Sequence, residues 1–81
     1  MRILWDEPKR LNNIAKHGLD FADLDLSFFL DGYAQPARGR RIKVVGRFRD
    51  QAIAVVIMPV GSEAISIVSM RRASRAERRN L

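Results

Sequence analysis

The chain has no cysteine, one histidine, one tryptophan and one tyrosine, and each scarcity closes off a class of chemistry. Without cysteine there is no disulfide framework, no thiolate nucleophile and no sulfur-ligated metal. A single histidine, with no carboxylate cluster at ligand spacing beside it, leaves no convincing metal site. No apolar run reaches the roughly 18 to 20 residues that a membrane-spanning helix needs. The N-terminal Met1-Arg2-Ile3-Leu4-Trp5-Asp6 is broken by charge at once, which is unlike a secretory leader. Repeats, low-complexity tracts and long linkers are missing as well. These gaps lead to the expectation of one cytoplasmic, cofactor-free domain of 81 residues, large enough for a single modest core.

Basic charge is what the chain has in excess. The formal net charge is +6, and it is unevenly spread. Residues 1–31 carry six acids against four bases, whereas residues 32–81 carry eleven bases against three acids. Such polarity concentrates positive potential on one side of a small protein and draws an anionic partner there, with a polyphosphate backbone as the natural ligand.

Local patterns divide the chain into two halves. Met1–Trp5 suits a short strand. Asp6-Glu7-Pro8 places an acidic cap before a proline in the first turn, so a helix is expected from about Glu7 to His17, stopped by Gly18. Its inward stripe is read as Leu11, Ile14 and Ala15. A second helix is expected after Asp20, with Phe21, Leu24, Leu26, Phe28, Phe29 and Leu30 as its apolar set and Asp31-Gly32 as its end. The period then changes. Residues 41–48 and 51–58 are rich in β-branched side chains and flank an Arg49-Asp50 turn, which reads as a hairpin. A second turn at Pro59–Ser62 leads into a last strand, with Ile65, Ile67 and Ser69 on one face. Ser74 followed by Glu77 is a capping-box pattern for a short C-terminal helix. The expected fold is α+β: a short N-terminal strand and two helices packed on an antiparallel sheet of three further strands, with arginines on the opposite face.

Five arginines, Arg71, Arg72, Arg75, Arg78 and Arg79, straddle the junction between the last strand and that helix. A guanidinium held at a strand end has a fixed direction for a bidentate phosphate contact, which a solvated tail lacks. Neighbouring residues of a strand face opposite ways, so one of Arg71 and Arg72 is expected to point into a site while the other pairs with an acid such as Glu7, Asp23 or Asp25. Arg75, Arg78 and Arg79 sit at helical spacing, where they either line the remaining groove or form a solvated face that adds affinity. His17 has two readings, a cap in the last turn of the first helix or a general acid or phosphate contact. Trp5 likewise reads as core or as a platform for a base.

Taken together, Trp5-Asp6-Glu7-Pro8-Lys9, the block Asn13-Ile14-Ala15-Lys16-His17-Gly18-Leu19-Asp20-Phe21, Gly46-Arg47 and the stretch from Ser69 to Arg79 resemble the BrnT toxins of bacterial type II toxin–antitoxin modules, in order and over nearly the whole chain. The resemblance implies a RelE-like ribonuclease fold, RNA cleavage that arrests translation, and neutralisation by a BrnA-type antitoxin with a ribbon-helix-helix domain. It further implies operator DNA binding through the antitoxin complex, with a homodimer or a heterotetramer as the assembly. Cleavage would proceed without metal, by attack of the substrate's 2′-hydroxyl, with arginines around the transition state. On this reading the catalytic candidates are Arg71, Arg72, His17 and Arg47, and the RNA-binding candidates are Arg41, Arg49, Arg75, Arg78 and Arg79. The chain departs from the family pattern at Ser66, Met58 and Arg40, where an arginine, a polar or basic residue and an acid are usual. Loss of a phosphate-binding arginine at position 66 would remove roughly 2 to 4 kcal/mol of transition-state stabilisation unless Arg47 or Arg49 took its place. A weakened toxin acting as an antitoxin-binding co-repressor, or a freestanding nucleic-acid binder, is the alternative.

Overall fold

A computed structural model describes all 81 residues. Five strands, β1 (Arg2–Trp5), β2 (Tyr33–Pro36), β3 (Ile42–Phe48), β4 (Gln51–Val60) and β5 (Ala64–Arg72), form one sheet in the order β1-β5-β4-β3-β2. The helices are α1 (Glu7–His17), α2 (Leu26–Asp31) and α3 (Arg75–Arg78), with a single 3₁₀ turn at Phe21–Asp23. The expected α+β architecture is present, with two additions. β1 runs parallel to β5, making the sheet mixed. β2 is an edge strand that sequence periodicity did not reveal, because it is four residues long and ends in Pro36, which is tolerated only where no ladder partner needs an N–H.

α1 forms as its signals require. The Asp6 carboxylate accepts from the Lys9 N–H, Pro8 sits in the first turn, and Gly18 closes the helix at φ 71°, the left-handed region that favours glycine. Its packing face differs from the expected stripe. Leu11 is 56% exposed and Ala15 is exposed, while Asn13 is buried and Arg10 and Ile14 are half-buried. The cause lies in β5. β1 ends at Trp5 opposite Ile67, which leaves the farther part of β5 without a strand neighbour on that side. There the Asn13 carboxamide donates to the Met70 carbonyl at 2.9 Å and accepts from the Met70 N–H at 3.0 Å, pairing much as a neighbouring strand would. A second Nδ2 bond to the Leu19 carbonyl, also 2.9 Å, ties in the chain after the helix. The helix turns a polar residue inward because an open strand edge needs one.

The expected second helix is interrupted. Asp20 caps only the 3₁₀ turn, Leu24 is extended at ψ 142°, and Asp25 caps the six-residue α2. Two aspartate caps five residues apart each restart the chain, and the break lets Phe21, Leu24 and Phe28 all enter the core while Leu26 and Leu30 face solvent. α2 packs closely on β3 at Gly46, where a Cβ would lie 3.0 Å from the Phe28 ring.

Alternation along the strands makes two cores. Val44, Ile53, Val55, Ile57, Ile65, Ile67 and Met70 join Leu19, Phe21, Leu24 and Phe28 under the helices. On the opposite face Val45, Ala52, Ala54 and Ala73 form a smaller cluster against Tyr33. Met70, rather than Ser69, follows Ile67 into the main core. Val56 pairs with Ser69 and Ile57 with Ile67, so Val68 is the extra residue of a β-bulge that shifts the alternation by one.

Candidate active site

The arginine-rich chain end is positioned by the hairpin beside it. Phe48 pairs with Gln51 across a two-residue turn, and Arg47 pairs with Ala52. The Ala52 carbonyl accepts from the Ala73 N–H at 2.9 Å, which holds the end of β5 and the start of α3 against β4. Arg72, in register with Ile53, emerges at that seam. Arg78 folds back so that its Nη1 donates to the Ala73 carbonyl at 3.2 Å. The result is a cleft of about 510 Å³ lined by Arg47, Asp50, Gln51, Ala52, Arg72 and Arg78. Three guanidinium groups therefore surround one solvent-open volume, an arrangement suited to a phosphodiester. Arg47 also lines the two adjoining depressions, one bordered by Asp23, Asp25 and Arg49, the other by Tyr33 and the C-terminal Asn80 and Leu81.

Arg71 has a different setting. Its Nη1 and Nη2 donate to the two Glu77 carboxylate oxygens at 2.8 and 2.9 Å. Glu77 is 8% exposed and also pairs with Lys43 Nζ at 2.7 Å. It completes the capping box as well, accepting from the Ser74 N–H at 2.8 Å while Ser74 Oγ accepts from the Glu77 N–H. Hydrogen bonds from Arg71, then Lys43 and the Ser74 N–H, hold the Glu77 carboxyl well below the usual carboxylate range despite its burial, and Glu77 in turn raises Arg71. The Tyr33 hydroxyl donates to the Glu77 carbonyl. Of the two strand-end arginines, then, one pairs with an acid and the other opens onto the cleft, and the acid is Glu77, not Glu7, Asp23 or Asp25.

The remaining basic residues are dispersed. Arg49 lies 4.7 Å over the Phe48 ring and 3.6 Å from Asp23. Arg41, with Arg40, belongs to the loop between β2 and β3, at the other end of the sheet from the cleft. Arg75 and Arg79 are exposed on and just after α3. His17 is separate from all of these, in a depression with Lys9, Asn12, Asn13, Lys16, Val68 and Ser69 that shares no residue with the cleft. Trp5 is 37% exposed, with its Nε1 donating to Glu7. Ser66 and Met58 face each other across β4 and β5. They lie six residues from the cleft along each strand, about 20 Å away at the rise of an extended chain.

The structure brings to the site residues that the sequence pattern had marked only as turn or cap, or not at all. Asp50 and Gln51 enter the cleft from the hairpin turn, and Lys43, Tyr33 and Glu77 form the network behind it. Nowhere do three or more histidine, aspartate or glutamate side chains converge as a metal centre requires. No helix is long and apolar enough to cross a membrane.

Comparison with known proteins agrees with this architecture. Residues 5–77 match the family model described as the ribonuclease toxin, BrnT, of type II toxin–antitoxin systems. Among solved structures, the 1.1 Å crystal structure of the Brucella abortus ribonuclease toxin BrnT is similar at 55% sequence identity and a TM-score of 0.88, covering 93% of this chain and 99% of that one. A comparison with curated proteins gives no match. Since the family model spans most of the chain and the Brucella relative shares its fold almost end to end, this chain belongs to the BrnT family of ribonuclease toxins of type II toxin–antitoxin systems.

Proposed function

We propose that this protein is a metal-independent endoribonuclease that arrests translation in the cytoplasm by cutting RNA, and that a BrnA-like ribbon-helix-helix antitoxin neutralises it and carries it to operator DNA. The observation that supports this most is the convergence of Arg47, Arg72 and Arg78 on one cleft. In the reaction, the RNA 2′-oxygen attacks the adjacent phosphorus, negative charge builds on the non-bridging oxygens, and the 5′-oxygen departs. Guanidinium groups stay charged at every accessible pH and offer paired donors to those oxygens, so they stabilise the crowded phosphorane more than the ground state. Removing one such donor typically costs roughly 10² to 10³ in rate.

Arg47 and Arg72 are assigned to the scissile phosphate and Arg78 to its flank. Arg71 is assigned to holding α3 through Glu77, and His17 to the end of α1. Arg41, Arg49, Arg75 and Arg79 would add affinity along the RNA strand away from the reacting phosphate. The Ser66 and Met58 departures lie remote from the cleft and leave this arrangement intact.

The test is expression of the chain alone, with growth and RNA integrity followed, beside an Arg47→Ala/Arg72→Ala variant. Growth arrest with RNA fragmentation, absent in the folded variant and relieved by co-expressing the product of the adjacent reading frame, is the expected result. Harmless expression of soluble wild type that still binds that product tightly would instead favour the co-repressor reading.

A further inference from the structure

The cleft supplies positive charge for phosphate, and the reaction also needs a group that removes the 2′-hydroxyl proton. We infer that Asp50 is that general base. Arg47, Arg72 and Arg78 carry guanidinium groups that do not deprotonate in proteins, and neither the Gln51 carboxamide nor the Ala52 methyl accepts a proton at neutral pH. Asp50 is the one carboxylate lining the cleft.

The other proton acceptors are engaged or elsewhere. Glu77 is buried, and its oxygens already accept from Arg71, Lys43 and the Ser74 N–H. Asp25 caps α2 and accepts from Ser27, Asp23 pairs with Arg49, and Asp31 lines the two depressions that adjoin the cleft at Arg47 but not the cleft itself. His17 occupies a depression that does not communicate with the cleft.

Backbone geometry makes the same point. Asp50 is the second residue of the two-residue turn between Phe48 and Gln51, and its neighbour Arg49 has φ 57°, the sole non-glycine residue with a positive φ. Glycine would occupy that conformation without strain, and sparsely populated conformations of this kind gather at functional sites. Here the turn lays Arg49 over Phe48 toward Asp23 and leaves Asp50 on the cleft side, beside Arg47 and Gln51.

The step balances within the RNA and the solvent. An Asp50 carboxylate oxygen takes the 2′-hydroxyl proton as the 2′-oxygen bonds to phosphorus. The bond from phosphorus to the 5′-oxygen breaks, and that oxygen takes a proton from water. A 2′,3′-cyclic phosphate and a 5′-hydroxyl result, and Asp50 returns its proton to solvent.

This inference rests on the ribonuclease reading, and the experiment separates the two. Single-turnover cleavage of a short single-stranded RNA is measured in EDTA for wild type, Asp50→Asn and Asp50→Glu. Binding is measured with the same RNA sequence fully 2′-O-methylated, which lacks the reacting hydroxyl. Asparagine is isosteric and suited to a turn, so the fold is expected to persist, as thermal melting verifies. Asp50→Asn should slow cleavage roughly 100-fold or more while binding the methylated RNA as tightly as wild type or more so. Asp50→Glu should recover part of the rate. An Asp50→Asn rate within about threefold of an active wild type would overturn the assignment of Asp50 alone. So would a rate loss matched by an equal loss of binding. A wild type that binds RNA without cutting it would overturn the ribonuclease reading and this assignment together.

Discussion

Arg71 and Arg72 are chain neighbours with opposite surroundings, and that contrast gives the sharpest predictions at the residue scale. Arg72→Ala should lower RNA affinity and cleavage while leaving the melting temperature nearly unchanged, because Arg72 is exposed at the cleft. Arg71→Ala should do the reverse in the first instance, lowering stability by leaving Glu77 short of its bidentate partner. Parallel urea melts and RNA-binding titrations distinguish them. Glu77→Gln should cost about 2 to 4 kcal/mol, somewhat less than breaking a fully buried pair, because Arg71 and Lys43 retain partial contact with water. Its pH signature follows from linkage. The folded Glu77 pKa lies below the ordinary 4.5, so in acid the unfolded chain takes up this proton first. The stabilisation is therefore complete above about pH 4.5 and is lost as pH falls toward the folded value. Urea midpoints measured from pH 7 down to pH 3 should fall steeply for wild type and less steeply for Glu77→Gln.

At the scale of elements, α1 is held to the sheet by a polar contact. Asn13→Ala removes three hydrogen bonds and leaves Met70 N–H and two carbonyls buried without partners, so it should destabilise by about 2 to 3 kcal/mol in chemical denaturation. Leu11→Ala, on the exposed side of the same helix, should change little. The contrast also shows where sequence reading reaches its limit. Capping signals are local, and Asp6, Pro8, Gly18 and the Ser74–Glu77 box all mark real termini. The period-2 runs likewise identified β3, β4 and β5. The inward face of α1 could not be found that way, since it depends on where β1 ends against β5, a contact between distant segments. The bulge at Val68 is similarly invisible, because an alternating run gives no sign that one residue will be skipped. For the site, charge and position singled out the basic chain end and Arg47. The spacing of Ser74 and Glu77 announced a cap and held no hint that the same carboxylate would pair with Arg71. Asp50 read only as a turn residue, since its place at the cleft depends on how β5 docks beside the hairpin.

At the scale of the whole molecule, the arginines of the β3–β4 turn, the end of β5 and α3 gather at the cleft end of the sheet, Arg38, Arg40 and Arg41 sit in the β2–β3 loop at its other end, and much of the acidic charge lies in and around α1 and α2. Binding of single-stranded RNA should consequently weaken steeply with salt. The slope of log affinity against log salt should fall by about 0.7 for each phosphate-contacting arginine removed, which titrations of Arg47→Ala and Arg72→Ala across ionic strength would measure. The proposed attack by the RNA 2′-hydroxyl within the arginine cleft is tested most directly by the chemistry of the ends that cleavage leaves. RNA incubated with purified protein in EDTA should yield fragments ending in 2′,3′-cyclic phosphate, and a folded Arg47→Ala/Arg72→Ala variant should yield almost none. Fragments ending in a 3′-hydroxyl, cleavage that EDTA abolishes and magnesium restores, or undiminished cutting by the double variant would contradict it.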